Sequence, residues 1–322
     1  MNCQSKFSVA PMMNWTNRHC RYFYRLMSKN VQLWTEMVTV KAILHGDKNR
    51  LLYFDACEHP LVLQLGGSEV KEMARAAKIA QDWGYDEVNI NVGCPSDRVQ
   101  SGSFGACLMQ IPQVVAQCVD AMKQVADVPI TVKSRIGVDD MDSYGELVNF
   151  VSIVESSGCD NFMIHARKAW LKGLSPKENR SVPKLNYGWV YQIKRDFPHL
   201  LIGINGGIMD MESSLQHLEH VDSVMLGRAV YYQPYLLSKV DGLIYQQKSS
   251  ILSREQVLLA FIEYMKVQHA NSVAIRSMTR HILGLYHGQK NAKKFKRLLS
   301  SKTVELEHLY EWLEYMDKNN GQ

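Results

Sequence analysis

The residue best placed to do chemistry in this 322-residue chain is Cys94. It stands in Asn89-Ile-Asn-Val-Gly-Cys-Pro-Ser-Asp-Arg-Val-Gln-Ser-Gly-Ser-Phe-Gly105. The preceding residues, from Glu87 to Val92, alternate apolar and polar side chains at the period of a strand. Gly93 breaks that strand, and Pro95 biases Cys94 toward an extended backbone. The thiol is therefore expected at the carboxyl end of a strand, the rim on which parallel βα barrels carry their chemistry. Gly102 and Gly105 behind it can act as hinges for a lid over a bound ligand. A lone free cysteine is more often a small buried hydrophobe, so the rest of the chain has to decide.

Lys133 ends the apolar run Pro129-Ile-Thr-Val. Burying a lysine is costly unless it meets an anion. Two chemistries fit it: a Schiff base, or a positive charge facing the pyrimidine end of a flavin. Cys94 tilts the balance to the flavin, because a protonated thiol (free pKa about 8.5) can serve as general acid beside a hydride donor. Ile204-Asn-Gly-Gly-Ile208 and Leu226-Gly-Arg-Ala229 carry the marks of a phosphate site. Their glycines let backbone N–H groups approach an anion, at the two strand ends where barrels commonly hold one. His165 alone reads as a satisfied buried histidine. Its company gives it weight: Pro11-Met12-Met13, Glu36, Gln64, Asn91, Lys133 with Arg135, His165 with Arg167, Asn205-Gly206-Gly207 and Gly227-Arg228 all close apolar runs.

The elements that must position these residues form a rhythm. Short apolar runs begin at Phe7, Val31, Leu61, Asn89, Pro129, Asn161, Leu201 and Ser223, with helical patterns such as 69–83 and 113–125 between them. Such alternation predicts an α/β chain with a parallel sheet and right-handed crossovers, and eight units predict a TIM (β/α)8 barrel over residues 1–240. A doubly wound open sheet would want a GxGxxG after an early strand, and none is present. Beyond Ser238 only helical patterns remain. Val257, Leu258, Phe261 and Met265, then Met278, Ile282 and Leu285, then Leu306, Leu309, Leu313 and Met316 predict three amphipathic helices. They form a small all-α domain at 241–322, after a linker at 248–253 and a capping box of Ser253 with Gln256.

Composition narrows the classes. A hydrophobic content of 46% supports a sizeable core, and no apolar run approaches the roughly 18 residues of a membrane span. The start lacks the apolar segment of a secretory signal. Seven scattered cysteines without a CxxC pair read as reduced thiols of a cytoplasmic protein, with neither a disulfide framework nor a metal site. The net charge is +5, yet eight Lys and Arg and no acid fall between Arg276 and Lys302. Taking these eight away leaves the remainder at −3. An acid-free basic segment is the footprint of a polyanion partner, nucleic acid foremost.

Assembled, these residues resemble the flavin-dependent tRNA-dihydrouridine synthases, specifically their A subfamily. The likeness runs from Phe7-Ser-Val-Ala-Pro-Met12 to about Leu299. It is carried by Trp34-Thr-Glu-Met37, Leu63-Gln-Leu-Gly-Gly67, Asn89-Ile-Asn-Val-Gly-Cys-Pro-Ser96, Val132-Lys-Ser-Arg135, His165-Ala-Arg-Lys-Ala-Trp170, Ile204-Asn-Gly-Gly207 and Gly227-Arg228. Gly173-Leu-Ser-Pro-Lys-Glu-Asn-Arg180 points to the A subfamily.

The resemblance implies a barrel holding FMN, a helical tRNA-binding domain, and reduction of a D-loop uridine, at positions 20 and 20a, to 5,6-dihydrouridine. NADPH or NADH would reduce the flavin, hydride would pass to uracil C6, and Cys94 would protonate C5. FMN contacts would fall on Pro11, Met12, Met13, Gln64, Lys133, His165, Asn205, Gly206, Gly207, Gly227 and Arg228. tRNA contacts would fall on Asn91, Lys177, Arg180, Lys293 and Lys296. Related sequences of the subfamily carry arginine at the last two positions, and lysine keeps the charge without the bidentate geometry. A monomer is expected. Two rivals remain: an FMN barrel reducing a free small molecule such as a dihydropyrimidine, and a non-catalytic RNA-binding protein on a retired barrel. The first leaves the basic segment unexplained, the second Cys94 and Lys133.

Overall fold

The computed structural model describes residues 5–96, 99, 102–247, 250–301 and 303–320. Eight strands, β1 (Phe7–Val9), β2 (Leu33–Thr39), β3 (Leu61–Gly66), β4 (Glu87–Val92), β5 (Ile130–Arg135), β6 (Asn161–His165), β7 (Leu201–Asn205) and β8 (Ser223–Leu226), pair in parallel in the order β1-β8-β7-β6-β5-β4-β3-β2. A parallel bridge between Ser8 and Gln32 closes the ring, with Val9 N–H donating to Gln32 O and Gln32 N–H to Phe7 O, both at 3.0 Å. The expected barrel is therefore present.

Between the strands lie α1 (Arg18–Arg25), α2 (Val40–His45), α3 (Lys48–Leu52), α4 (Val70–Trp83), α5 (Pro112–Lys123), α6 (Tyr144–Glu155), α7 (Tyr187–Asp196) and α8 (Met211–Leu218), with α9 (Arg228–Tyr232) directly after β8. The apolar residues separate into two bodies. A large shell fills the space between strands and helices. A small plug of Ala10, Trp34, Val62, Met163 and Met225 forms a cluster of its own. That division is what alternating inward and outward side chains on a closed sheet produce. Much of the remaining interior is polar: Gln64, Asn89, Asn91, Thr131, Lys133 and Asn205 are all buried.

After α10 (Val240–Leu243) come α11 (Arg254–Ala270), α12 (Ile275–Thr279), α13 (Ala292–Leu299) and α14 (Leu306–Asn320). The capping box at α11 is present: Ser253 Oγ accepts from Gln256 N–H at 3.2 Å and Gln256 Oε1 accepts from Ser253 N–H at 2.8 Å. Lys248 and Ser249 of the expected linker lie outside the described residues. One expected helix is corrected. The run through Met278, Ile282 and Leu285 is helical only over α12 and continues as turns held by three-residue bonds such as Leu285 N–H to Ile282 O. At Gly284 the backbone lies directly against Tyr232, whose carbonyl oxygen a Cβ would meet at 2.4 Å, so tertiary contact rather than helical period shapes this stretch.

The helical segment has its own aromatic core of Tyr286, Phe295 and Trp312, with ring centroids 4.7 to 5.5 Å apart. It docks on α1 through Tyr264, which stacks on Tyr22 at 3.9 Å and meets His19 Nδ1 at 2.7 Å. Among the described residues no helix is long and apolar enough to cross a membrane.

Candidate active site

A cavity of about 380 Å³ opens at the carboxyl ends of the strands. All eleven cofactor residues expected from the sequence line it, together with Asn91, Cys94 and Arg180. Lys133, Arg135, Arg180 and Arg228 bring four basic side chains to its wall, and no described carboxylate lines it. Met12, Met13, Met37, Met209 and Met225 supply a soft apolar side. The lining thus suits a ligand that is partly apolar and carries negative charge.

Cys94 is fixed from two directions. Its N–H donates to Asn91 Oδ1 at 3.0 Å, as Gly93 N–H does at 3.3 Å. Its carbonyl accepts from Ala106 N–H at 2.9 Å. That bond needs Gly105, whose φ of +79° is left-handed and where a Cβ would lie 2.5 Å from the Cys94 oxygen. Gly105 therefore clamps the cysteine's backbone. Residues 97, 98, 100 and 101 of the expected lid lie outside the described residues. The Cys94 Sγ is 3.5 Å from Ser96 Oγ.

Arg135 ties this loop to the next. Its Nε donates to Gly93 O at 3.1 Å and its Nη1 to Asn179 O at 2.9 Å. Asn179, fully buried, donates to Trp170 O at 2.9 Å and accepts from Trp170 N–H at 2.8 Å, so the segment preceding Arg180 is wound around it. Arg180 O in turn accepts from Arg228 Nη2 at 3.2 Å. Lys177 is exposed on the same segment, outside the cavity lining.

Beneath the rim, an ordered chain of hydrogen bonds descends through the barrel. Asn91 Nδ2 donates to Gln64 Oε1 at 2.9 Å, Gln64 Nε2 to Asn89 Oδ1 at 2.9 Å, Asn89 Nδ2 to Thr131 Oγ1 at 2.9 Å, and Thr131 to Glu87 Oε1 at 2.6 Å. From the other side Trp34 Nε1 donates to Gln32 Oε1 at 3.1 Å and Gln32 Nε2 to Glu87 Oε2 at 3.0 Å. Burial pushes the Glu87 carboxyl up to about 7, and the two donors pull against that rise.

Lys133 Nζ donates to Asn205 Oδ1 at 3.0 Å, and Asn205 Nδ2 to Met225 O at 2.8 Å. Burial first, and then the Arg135 charge, pull Lys133 down to about 7. His165, whose strand register sets it beside Arg135 and Asn205, is held well below the ordinary histidine value by burial and by its cationic neighbours. Gly206 and Gly207 have φ of +113° and +74°. A Cβ on Gly206 would lie 2.5 Å from the His165 ring, and one on Gly207 2.6 Å from Leu185. This is a backbone cradle that side chains would fill.

The lip of the cavity toward the helical segment is aromatic. Trp15 lines the cavity and stacks on Tyr231 at 4.1 Å, with Tyr232 at 5.6 Å and steeply inclined. Tyr232 is 54% exposed. Lys293 and Lys296 are not brought to the cavity; they lie exposed on α13 with Lys294 and Arg297, while Phe295 and Leu299 anchor the helix. The sequence reading passed over Trp15, Tyr231 and Tyr232. Its one available signal was the aromatic pair Tyr231-Tyr232, separated by two residues from Gly227-Arg228.

The dihydrouridine synthase family model matches residues 8–318, nearly the whole chain. The chain belongs to this family. It is similar to the tRNA-dihydrouridine(20/20a) synthase of Vibrio vulnificus, 54% identical over 93% of this chain and 92% of that protein. It is equally similar to that of Synechocystis sp., 54% identical over 92% and 89%, and of Shewanella oneidensis, 54% over 93% and 89%. Among solved structures, a 2-naphthoyl-CoA reductase aligns with a TM-score of 0.56 at 10% identity, over 73% of this chain and 49% of that one. A morphinone reductase variant in complex with tetrahydroNAD aligns at 0.52 and 12%, over 73% and 85%. At such identities these two speak for the barrel alone. The family match covers both the barrel and the helical segment, as the resemblance in the sequence implied.

Proposed function

We propose that this chain reduces uridine to 5,6-dihydrouridine in the D-loop of tRNA, at positions 20 and 20a, with FMN in the barrel and NADPH or NADH as reductant. The observation that carries the reading is the position of Cys94 in a cavity lined by four basic side chains and no described carboxylate, inside a chain of this family. The residues present fit the cofactor. The Gly206-Gly207 cradle and Gly227-Arg228 would take its phosphate. Lys133, a buried cation whose side chain meets a neutral amide, would meet the electron-rich end of the ring. Pro11, Met12, Met13, Gln64, His165 and Asn205 would hold the ring between them.

When bound and reduced, the flavin supplies the hydride that uracil C6 accepts. Cys94 delivers a proton from Sγ to C5. Lys133 and Arg135 line the same cavity as Cys94, and Arg135 Nε holds the Gly93 carbonyl beside it. Asn91 spends one amide N–H on Gln64 and its oxygen on two backbone N–H groups, leaving one N–H free to orient the base. A base taken out of its stack costs a few kcal/mol. Lys177, Arg180, Lys293 and Lys296 offset this by gripping phosphates. The aromatic lip offers the neighbouring nucleotides a surface to stack on. The helical domain, residues 241–322, is the tRNA grip.

The test is anaerobic. The purified protein is reduced with NADPH, and tRNA from a strain lacking dihydrouridine is added while flavin absorbance is followed. Rapid reoxidation by tRNA, but not by uridine or orotate, is expected. Reoxidation by the free pyrimidines instead would favour a barrel acting on small molecules.

A further inference from the structure

Every hydrogen bond in the chain beneath Cys94 has a direction imposed by chemistry. At its upper end the donors are the backbone N–H groups of Gly93 and Cys94, which can only donate, so Asn91 must turn its oxygen to them. Asn91 then has an N–H for Gln64, Gln64 one for Asn89, Asn89 one for Thr131, and Thr131 its O–H for Glu87. At the lower end Trp34 is equally fixed, because an indole N–H can only donate, and Gln32 must then donate to Glu87. Two runs of donors converge on one side chain, on two different oxygens. A carboxylate is the one side chain of this size that accepts from both. Glu87 is 7% exposed and at the amino end of β4, with five residues of strand between it and Gly93.

We propose that Glu87 is a remote positioning residue for the active site: its carboxylate, through Thr131, Asn89 and Gln64, sets the amide orientation of Asn91 and with it the placement of the Cys94 backbone. Remove the acceptor, and one donor must go without a partner. That donor is either left unpaired at the foot of the chain or handed upward by flipping amides, until Asn91 turns its NH2 toward the Cys94 N–H and gives up its bonds to Gly93 and Cys94. Thr131 is the link whose loss severs the upper run while leaving Trp34 and Gln32 bonded to Glu87. The inference rests on the role given to Cys94 above.

The experiment separates two half-reactions in the flavin-loaded protein: flavin reduction by NADPH, and anaerobic reoxidation by unmodified tRNA. Thr131→Val keeps volume and removes the hydroxyl, Thr131→Ser keeps the hydroxyl, Glu87→Gln removes one acceptor, and Cys94→Ala is the control. Thr131→Val and Glu87→Gln are expected to slow reoxidation about tenfold, with a smaller change in NADPH reduction and flavin content because Gln64 in the same chain also faces the flavin. Thr131→Ser is expected to restore the rate. The double variant should be no slower than Thr131→Val alone, because both cut one chain. Unchanged reoxidation in Thr131→Val, multiplying effects in the double variant, or equal losses in both half-reactions with a falling Tm would overturn the proposal. A Cys94→Ala protein that reoxidises normally would instead overturn the role of the cysteine.

Discussion

Lys133 Nζ meets Asn205 Oδ1 at 3.0 Å across two strands, and among the described residues no carboxylate pairs with that amine. A buried amine left with a neutral amide is costly to charge in the free protein, and burial pulls it down to about 7. The ordinary lysine value is 10.5, so the folded state holds this proton less tightly than the unfolded chain does. Stability therefore declines as pH falls from about 10.5 toward 7 and levels off below. Lys133→Met should raise the Tm of the flavin-free protein by a few degrees, worth about 1–3 kcal/mol. It should also flatten the pH dependence in that window and weaken flavin retention. Thermal melts of stripped protein at several pH values check the first two, and visible absorbance after desalting checks the third.

Cys94→Ala should keep its flavin and its tRNA affinity while uridine reduction slows by about 10²–10⁴, the usual loss when a general acid is removed. Stopped-flow reoxidation by tRNA is the measurement. Turnover near wild type would take the cysteine out of the chemistry.

Lys293 and Lys296 stand exposed on α13, whose buried side rests on Phe295 and Leu299. Reversing both charges to glutamate should leave the barrel and the flavin spectrum intact and raise the Kd for tRNA. The slope of log K against log salt should flatten by about one to two, the share of two phosphates. Titrations at three salt concentrations decide it, and an unchanged Kd would remove α13 from the interface.

Gly206→Ala meets two objections at once: a φ of +113° and a His165 ring 2.5 Å from the new Cβ. The variant should fold with an altered β7 end and lose most of its flavin, since the cradle and His165 move together. Retention of flavin at the wild-type level would mean that the phosphate lies elsewhere.

Tyr232→Ala removes an exposed ring at the cavity lip, steeply inclined to Trp15 at 5.6 Å. Loss of a stacking partner costs about 1–3 kcal/mol per base. KM for tRNA should rise while NADPH-driven flavin reduction stays unchanged, and steady-state kinetics with tRNA measure the split.

The sequence by itself determined the barrel, the rim residues and the family. Strand period, the break at Gly93, and the glycine pairs after β7 and β8 are local signals, and local signals survive in one dimension. Cys94, Lys133 and Gly206-Gly207 were legible because each residue type is costly or uncommon at a strand end without a task. Other features needed the closed fold. The bonds from Asn91 down to Glu87 alternate among β3, β4 and β5, and their directions are fixed by a backbone N–H at one end and an indole at the other. No linear spacing encodes that. Arg135 reads as one more rim cation until its bonds to Gly93 and Asn179 join two loops. The turns after α12 carry a helical apolar period because Ile282 and Leu285 are buried, and the packing of the Gly284 backbone against Tyr232 is visible only in the closed fold. Sequence wrote which residues face inward; tertiary packing decided which of them touch.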